Sequence, residues 1–189
     1  MSKYLSVSWL EVYEALSSIA RAISASSSGF DAVLGIARGG WIPARLLSDF
    51  LSIRRIVSIQ VESYDNEDRK ELRILEPVPQ ELRGSKVLVV DDISDTGSSL
   101  LAVVEKLRSN GVKAISTVAI FTKPWSKFTP DFFYKEVSEW VVFPWELNET
   151  VIPRLKAGED LQSVCKELGV GVDLGEALGR VVNASTKTG

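Results

Sequence analysis

The stretch Val87-Leu-Val-Val-Asp-Asp-Ile-Ser-Asp-Thr-Gly-Ser-Ser-Leu100 decides the fold. Val87, Leu88, Val89 and Val90 are consecutive apolar residues, the pattern of a strand covered on both faces rather than one lying on the surface. Asp91 and Asp92 follow at the carboxyl end of that strand. Ser94, Asp95, Thr96, Gly97, Ser98 and Ser99 then form a small, hydroxyl-rich loop that runs into a helix beginning near Ser98. In such a turn the backbone N–H groups, the hydroxyls and the positive end of the helix dipole converge on one anion. Two carboxylates beside an anion loop suggest a sugar-phosphate cradle.

Outward from this stretch, the chain alternates strand and helix patterns, as a mainly parallel sheet flanked by helices requires. The helix after Ser98 runs to Asn110 and stops at Gly111, a residue suited to a left-handed cap. Residues 114–121 read as the next strand. Upstream, residues 33–37 and 56–62 read as strands, and residues 41–51 as a helix with Pro43 in its first turn. At the start, Ser8 and Glu11 spell a capping box. Trp9, Val12, Tyr13, Leu16, Ile19 and Ile23 follow at helical spacing and are expected to pack as core. Between the second and third strands lies a charged excursion, residues 63–83, with Asp65-Asn-Glu-Asp-Arg-Lys70 at its middle. No repeat or low-complexity tract interrupts the pattern.

Composition narrows the chemistry. A chain of 189 residues is long enough to bury about 70% of its unfolded surface. One cysteine and no histidine exclude an internal disulfide, the usual Cys/His zinc sites, and Cys-His or Ser-His catalytic pairs. Acid-base work therefore falls to carboxylates, Lys or Tyr. A net charge of −3 argues against a nonspecific nucleic-acid binder, whose affinity needs many Lys and Arg contacts to phosphates. No apolar run approaches the length of about 18 residues that a membrane span needs, and residues 1–30 lack the order of a signal peptide, so a cytoplasmic location is expected.

The carboxylate-and-hydroxyl stretch resembles the ribose-phosphate signature of the type I phosphoribosyltransferases, which transfer ribosyl 5-phosphate from phosphoribosyl pyrophosphate (PRPP) to a nucleobase. Val33-Leu-Gly-Ile-Ala-Arg-Gly-Gly40 resembles the family's pyrophosphate loop. Trp140-Val-Val-Phe-Pro-Trp-Glu146 resembles the purine-contacting segment of its xanthine-guanine branch. The three occur in the family's order, and the similarity runs over residues 30–150. It implies a type I phosphoribosyltransferase domain over residues 1–151, with residues 63–83 as a mobile hood, and a helical extension over residues 152–189.

The resemblance also implies roles. Ala37, Arg38 and Gly39 would bind pyrophosphate, with a cis bond between Ala37 and Arg38. Asp91 and Asp92 would meet the ribose hydroxyls and help place Mg2+, which suits hard oxygen ligands. Ser94, Asp95, Thr96, Gly97, Ser98 and Ser99 would hold the 5-phosphate. Lys70 matches a basic hood position, although Arg69 beside it leaves the register open. In relatives that act on 6-oxopurines the Asp95 position is acidic and lies near purine N7, while adenine and orotate enzymes carry a small or hydroxyl residue there. Lys123 matches the lysine that donates to the 6-oxo group. Trp140 would stack on the purine, and the backbone of Val141 or Val142 would meet the group at C2. Asp95, Lys123 and Arg38 are thus the expected catalytic set.

Beyond residue 152 the resemblance ends. Leu161, Val164 and Leu168 form one short apolar stripe, and Asp173 with Glu176 caps a second one, a pattern with a faint likeness to a helix-turn-helix. The second helix carries only Arg180 as a basic residue, too little for DNA phosphates, so packing against the core or a subunit partner is expected, in a dimer or tetramer. The function expected is a Mg2+-dependent phosphoribosyltransferase for hypoxanthine, guanine or xanthine. The alternatives are a PRPP-binding regulatory protein, or an enzyme acting on adenine or a pyrimidine.

Overall fold

The computed structural model describes residues 3–26, 29–66 and 69–171, without the side chains of residues 63–71. Eight strands and five helices follow one another along these residues. They are β1 (Tyr4–Ser6), α1 (Trp9–Ala25), β2 (Ala32–Ala37), α2 (Trp41–Phe50), β3 (Ile56–Asn66), β4 (Arg69–Ile74), β5 (Lys86–Ser94), α3 (Ser98–Ser109), β6 (Ala114–Thr122), β7 (Phe132–Glu136), β8 (Trp140–Val142), α4 (Leu147–Lys156) and α5 (Leu161–Leu168). A single 3-10 turn, Gln80–Leu82, precedes β5.

One compact unit is Tyr13–Ser138, and the other, in its described part, takes in residues 3–12 and 139–171. The second stretch of the smaller unit thus begins just before β8. There β8 pairs in parallel with β1, Leu5 opposite Val141, as a two-stranded sheet.

The larger unit holds a six-stranded sheet in the order β4-β3-β2-β5-β6-β7. Every neighbouring pair is parallel except β3 with β4, which form an antiparallel hairpin. The apolar run at the start of β5 is buried as its composition requires, Val87 to Val90 having no exposed surface. One face of the central strands, Ala32, Leu34, Ile36, Val87 and Val89, packs with Leu100, Val103 and Leu107 of α3. On the other face lies α2, approached so closely that a Cβ on Gly35 would come within 2.9 Å of Ala44 Cβ.

The charged excursion after residue 62 is the β3-β4 hairpin, with Asp65 paired to Lys70. Its strand character comes from the backbone ladder, since the charged residues offer no alternating apolar face. The first helix corrects one expectation. Val12, Leu16, Ile19 and Ile23 are buried, but Trp9 and Tyr13 are 56% and 53% exposed. At about 100° per residue those two rings fall on the flank of the stripe instead of its centre.

In the smaller unit, Val142, Val151, Val164 and Leu168 form the core, with Tyr4, Leu147, Leu155 and Leu161 packed on it. Arg154 clasps α5 to α4, its guanidinium donating to Glu159 and Glu167 while it lies over the Tyr4 ring. The helix read on the sequence from Asp173 lies outside the described residues. No described helix is long and apolar enough to cross a membrane.

Candidate active site

The site forms where the strand order reverses. From β2 the chain crosses to β3 on one side and later returns as β5 on the other, so the carboxyl ends of β2 and β5 lie side by side and open a crevice. The Ala37–Arg38 peptide is cis, as the resemblance implied. Gly39 and Gly40 are there because the turn lies on the end of β5. A Cβ at Gly39 would stand 2.0 Å from Asp92 Oδ2, and one at Gly40 would stand 2.4 Å from the Val90 carbonyl oxygen. The pyrophosphate-type turn and the carboxylate pair thus form one packed unit.

Asp91 is half-buried and Asp92 buried. Asp91 Oδ1 accepts from the Asp92 N–H at 3.0 Å, and Asp92 Oδ1 accepts from the Ile93 N–H at 2.8 Å. These local bonds hold both carboxylates at the strand end. No group of three or more carboxylate, Cys or His side chains able to hold a metal occurs among the described residues. The two hard carboxylates Asp91 and Asp92 would nevertheless suit Mg2+, which favours oxygen ligands and keeps several waters.

After β5 the loop closes around a cavity of about 80 Å3 lined by Asp91, Ser94, Asp95, Thr96, Ser98 and Ser99, among others. That is far below the 300 Å3 or so of a typical small-molecule pocket and suits a single anionic group. Gly97 is left-handed at φ 78° and is the residue before α3, which has no side-chain cap. The first N–H groups of the helix therefore depend on local hydroxyls or on a ligand. Thr96 Oγ1 accepts from the Ser98 N–H at 3.3 Å and donates to Ser98 Oγ at 2.9 Å. Ser94 has turned inward: its buried hydroxyl donates to the Phe128 carbonyl at 2.9 Å and lies 3.0 Å from Ser126 Oγ.

Asp95 and Lys123 come from neighbouring strand ends, Ser94 of β5 being paired with Thr122 of β6. The Lys123 N–H donates to the Ser94 carbonyl at 3.0 Å. Asp95 is exposed and Lys123 buried. Between them stands a residue that the sequence reading passed over. Trp125 Nε1 donates to Asp95 Oδ1 at 2.9 Å, and Lys123 Nζ lies 5.4 Å from the centre of the Trp125 ring. The available signal was an aromatic directly after Lys123-Pro124.

Lys70 sits on β4 opposite Asp65, and its side chain, like that of Arg69, lies outside the described part. Trp140, Val141 and Val142 belong to the smaller unit as β8, with Trp140 63% exposed and both valines buried.

Comparison with known proteins agrees with this geometry. The phosphoribosyl transferase domain family matches residues 8–150. Xanthine-guanine phosphoribosyltransferase of Idiomarina loihiensis is 31% identical over 157 residues, 82% of this chain and 93% of that one. A purine phosphoribosyltransferase structure from Pyrococcus horikoshii superposes with a TM-score of 0.70 at 32% identity, covering 76% of this chain and 93% of its own. The Helicobacter pylori xanthine-guanine-hypoxanthine phosphoribosyltransferase gives 0.71 at 28% identity, covering 82% and 99%. With the reversed strand order, the diglycine turn and the carboxylate-hydroxyl loop all in place, this chain belongs to the phosphoribosyltransferase family and is an enzyme with the type I fold.

Proposed function

We propose that the enzyme transfers the ribosyl 5-phosphate of PRPP to N9 of a 6-oxopurine, giving the nucleoside 5-monophosphate and pyrophosphate. The observation that carries the base class is the placing of Asp95 and Lys123 on adjacent strand ends beside the anion cavity. A 6-oxopurine presents a proton at N7 and an acceptor at O6, which call for a carboxylate acceptor and a cationic donor side by side. Adenine, with an amino group at C6, has no use for the lysine.

The reaction is a displacement at the anomeric carbon through a transition state with oxocarbenium character. Its catalysis is mostly positioning and electrostatics. The loop 95–99 holds the 5-phosphate, Asp91 and Asp92 take the ribose hydroxyls near the developing sugar cation, and Arg38 with the glycine turn receives the diphosphate. Asp91 and Asp92 are also the residues that would hold Mg2+, which when bound supplies charge neutralisation to the leaving group. Asp95 accepts or holds the N7 proton while Lys123 donates to the oxygen that gains charge as N9 attacks. The resemblance assigns the purine-stacking face to Trp140 and a hood contact to Lys70. The relatives named for xanthine and guanine support the same class of base.

The test is a product assay with PRPP, Mg2+ and hypoxanthine, guanine, xanthine, adenine or uracil in turn. Nucleotide and pyrophosphate are expected with at least one 6-oxopurine, with adenine and uracil poor. Failure of every base while PRPP still binds would instead support a PRPP-sensing regulatory protein.

A further inference from the structure

We propose that Trp125 is a positioning residue for the base-contacting acid, its indole N–H fixing the Asp95 carboxylate so that one oxygen stays turned toward the purine. The inference rests on the 6-oxopurine reading and names a residue that reading does not need. Trp125 is 54% exposed, so burial alone does not fix its indole. The loop that carries it is nonetheless tightly held. Its turn is closed by the Ser126 N–H donating to the Lys123 carbonyl at 3.0 Å, and the Lys127 N–H donates to the Thr96 carbonyl at 3.0 Å. Ser94 holds the same loop through Ser126 and Phe128, and Phe128 lies so close to Gly97 that a Cβ there would be 2.6 Å from it. The indole is therefore presented by a braced loop, beside the adjacent strand ends that carry Asp95 and Lys123.

An exposed aspartate has a broad terminal torsion, so its carboxylate plane is undefined unless something holds it. Trp125 occupies Oδ1 with a neutral donor that adds no charge. Oδ2 is left to face the base in one orientation, which is the preorganisation that a proton acceptor in a displacement needs. The ring face toward Lys123 attracts the ammonium and so limits where it points. One side chain thus sets the orientation of both base-recognising groups, and neither contact requires Trp125 to touch the substrate.

Trp125→Phe deletes the N–H and trims the indole to a single ring that Lys123 can still face, so the comparison with the Asp95→Asn background is what isolates the bond to Asp95. Loss of a hydrogen bond to a charged acceptor should lower kcat/KM for the purine by about tenfold, with the KM for PRPP and the melting temperature unchanged. The same substitution placed on Asp95→Asn should cost less than about twofold, because contacting residues that act through one another are non-additive. Equal losses on both backgrounds, or a loss confined to the KM for PRPP, would overturn the positioning role while leaving the 6-oxopurine reading intact. A wild-type enzyme that makes no nucleotide from any 6-oxopurine would overturn both.

Discussion

A methyl group at Gly39 would stand 2.0 Å from Asp92 Oδ2, so the turn after β2 is packed directly onto the carboxylate at the end of β5. Parallel pairing brings the two strand ends together, and the missing side chain at position 39 lets them touch. The turn and the carboxylate at the end of β5 are therefore packed as one unit.

Replacing each glycine of the turn should therefore have a different effect. Gly39→Ala meets a side chain, Asp92, which can rotate away at the expense of its bond to Ile93. PRPP affinity should fall, with little change in melting temperature. Gly40→Ala meets backbone at Val90, Ile36 and Asp91, which cannot give. It should destabilise the fold by about 1–3 kcal/mol, as overpacking does. Calorimetry and PRPP titration of the two variants together check this; equal melting temperatures with equal affinities would refute it.

Asp95→Asn should leave PRPP binding intact and lower kcat, since it removes a proton acceptor and leaves the phosphate loop in place. The expected cost is about 10²- to 10⁴-fold for a general base. Single-turnover kinetics decide the point. An unchanged chemical step would remove Asp95 from the mechanism.

Legibility followed burial. The apolar run of β5 could be read because both its faces are covered, and the β2, α2, α3 and β6 patterns were clear for the same reason. The phosphate-type loop was legible because its small residues are demanded by local backbone geometry, as at Gly97. What escaped were elements made by partners distant in sequence. β1 and β8 are three residues each, too short to alternate, and exist because they pair with one another. The edge strand β7 is largely exposed and shows no buried face. Trp125 escaped because nothing in Lys-Pro-Trp reveals that the indole turns back to a carboxylate 30 residues earlier.

The capping box at the start of α1 has a pH signature. Ser8 Oγ accepts from the Glu11 N–H at 3.2 Å, and Glu11 Oε2 accepts from both the Ser8 hydroxyl and N–H at 2.7 Å. The side-chain bond from Ser8 is the main cause holding the Glu11 carboxyl below its ordinary value of 4.5, with the backbone bond second. A lowered folded value means that the stabilisation is complete above pH 4.5 and is lost as pH falls through the lower folded value. Ser8→Ala should cost about 1 kcal/mol near neutrality. Glu11→Gln should melt below wild type at pH 7, and the gap should close in acid. A gap that widens as pH falls would contradict the assigned bonds.

Under the proposed reading, substitution of Lys123 tests recognition of the base separately from recognition of PRPP. It is buried, so Lys123→Met, which keeps the apolar stem and removes the ammonium, tests the charge without opening a cavity. Ground-state contact with O6 is modest because the carbonyl oxygen carries only partial charge. The charge grows as N9 attacks, so the donor is worth more in the transition state than in the bound complex. In a series of 6-oxopurines, kcat/KM should therefore fall by more than binding affinity does, with the KM for PRPP barely moved. Adenine presents an amino group at C6 that cannot accept from the ammonium in the same way and should lose less, so the preference for 6-oxo over 6-amino bases should narrow. Equal losses for hypoxanthine and adenine would mean that Lys123 acts through its contact with the Trp125 ring or on the general field of the site, and not on O6.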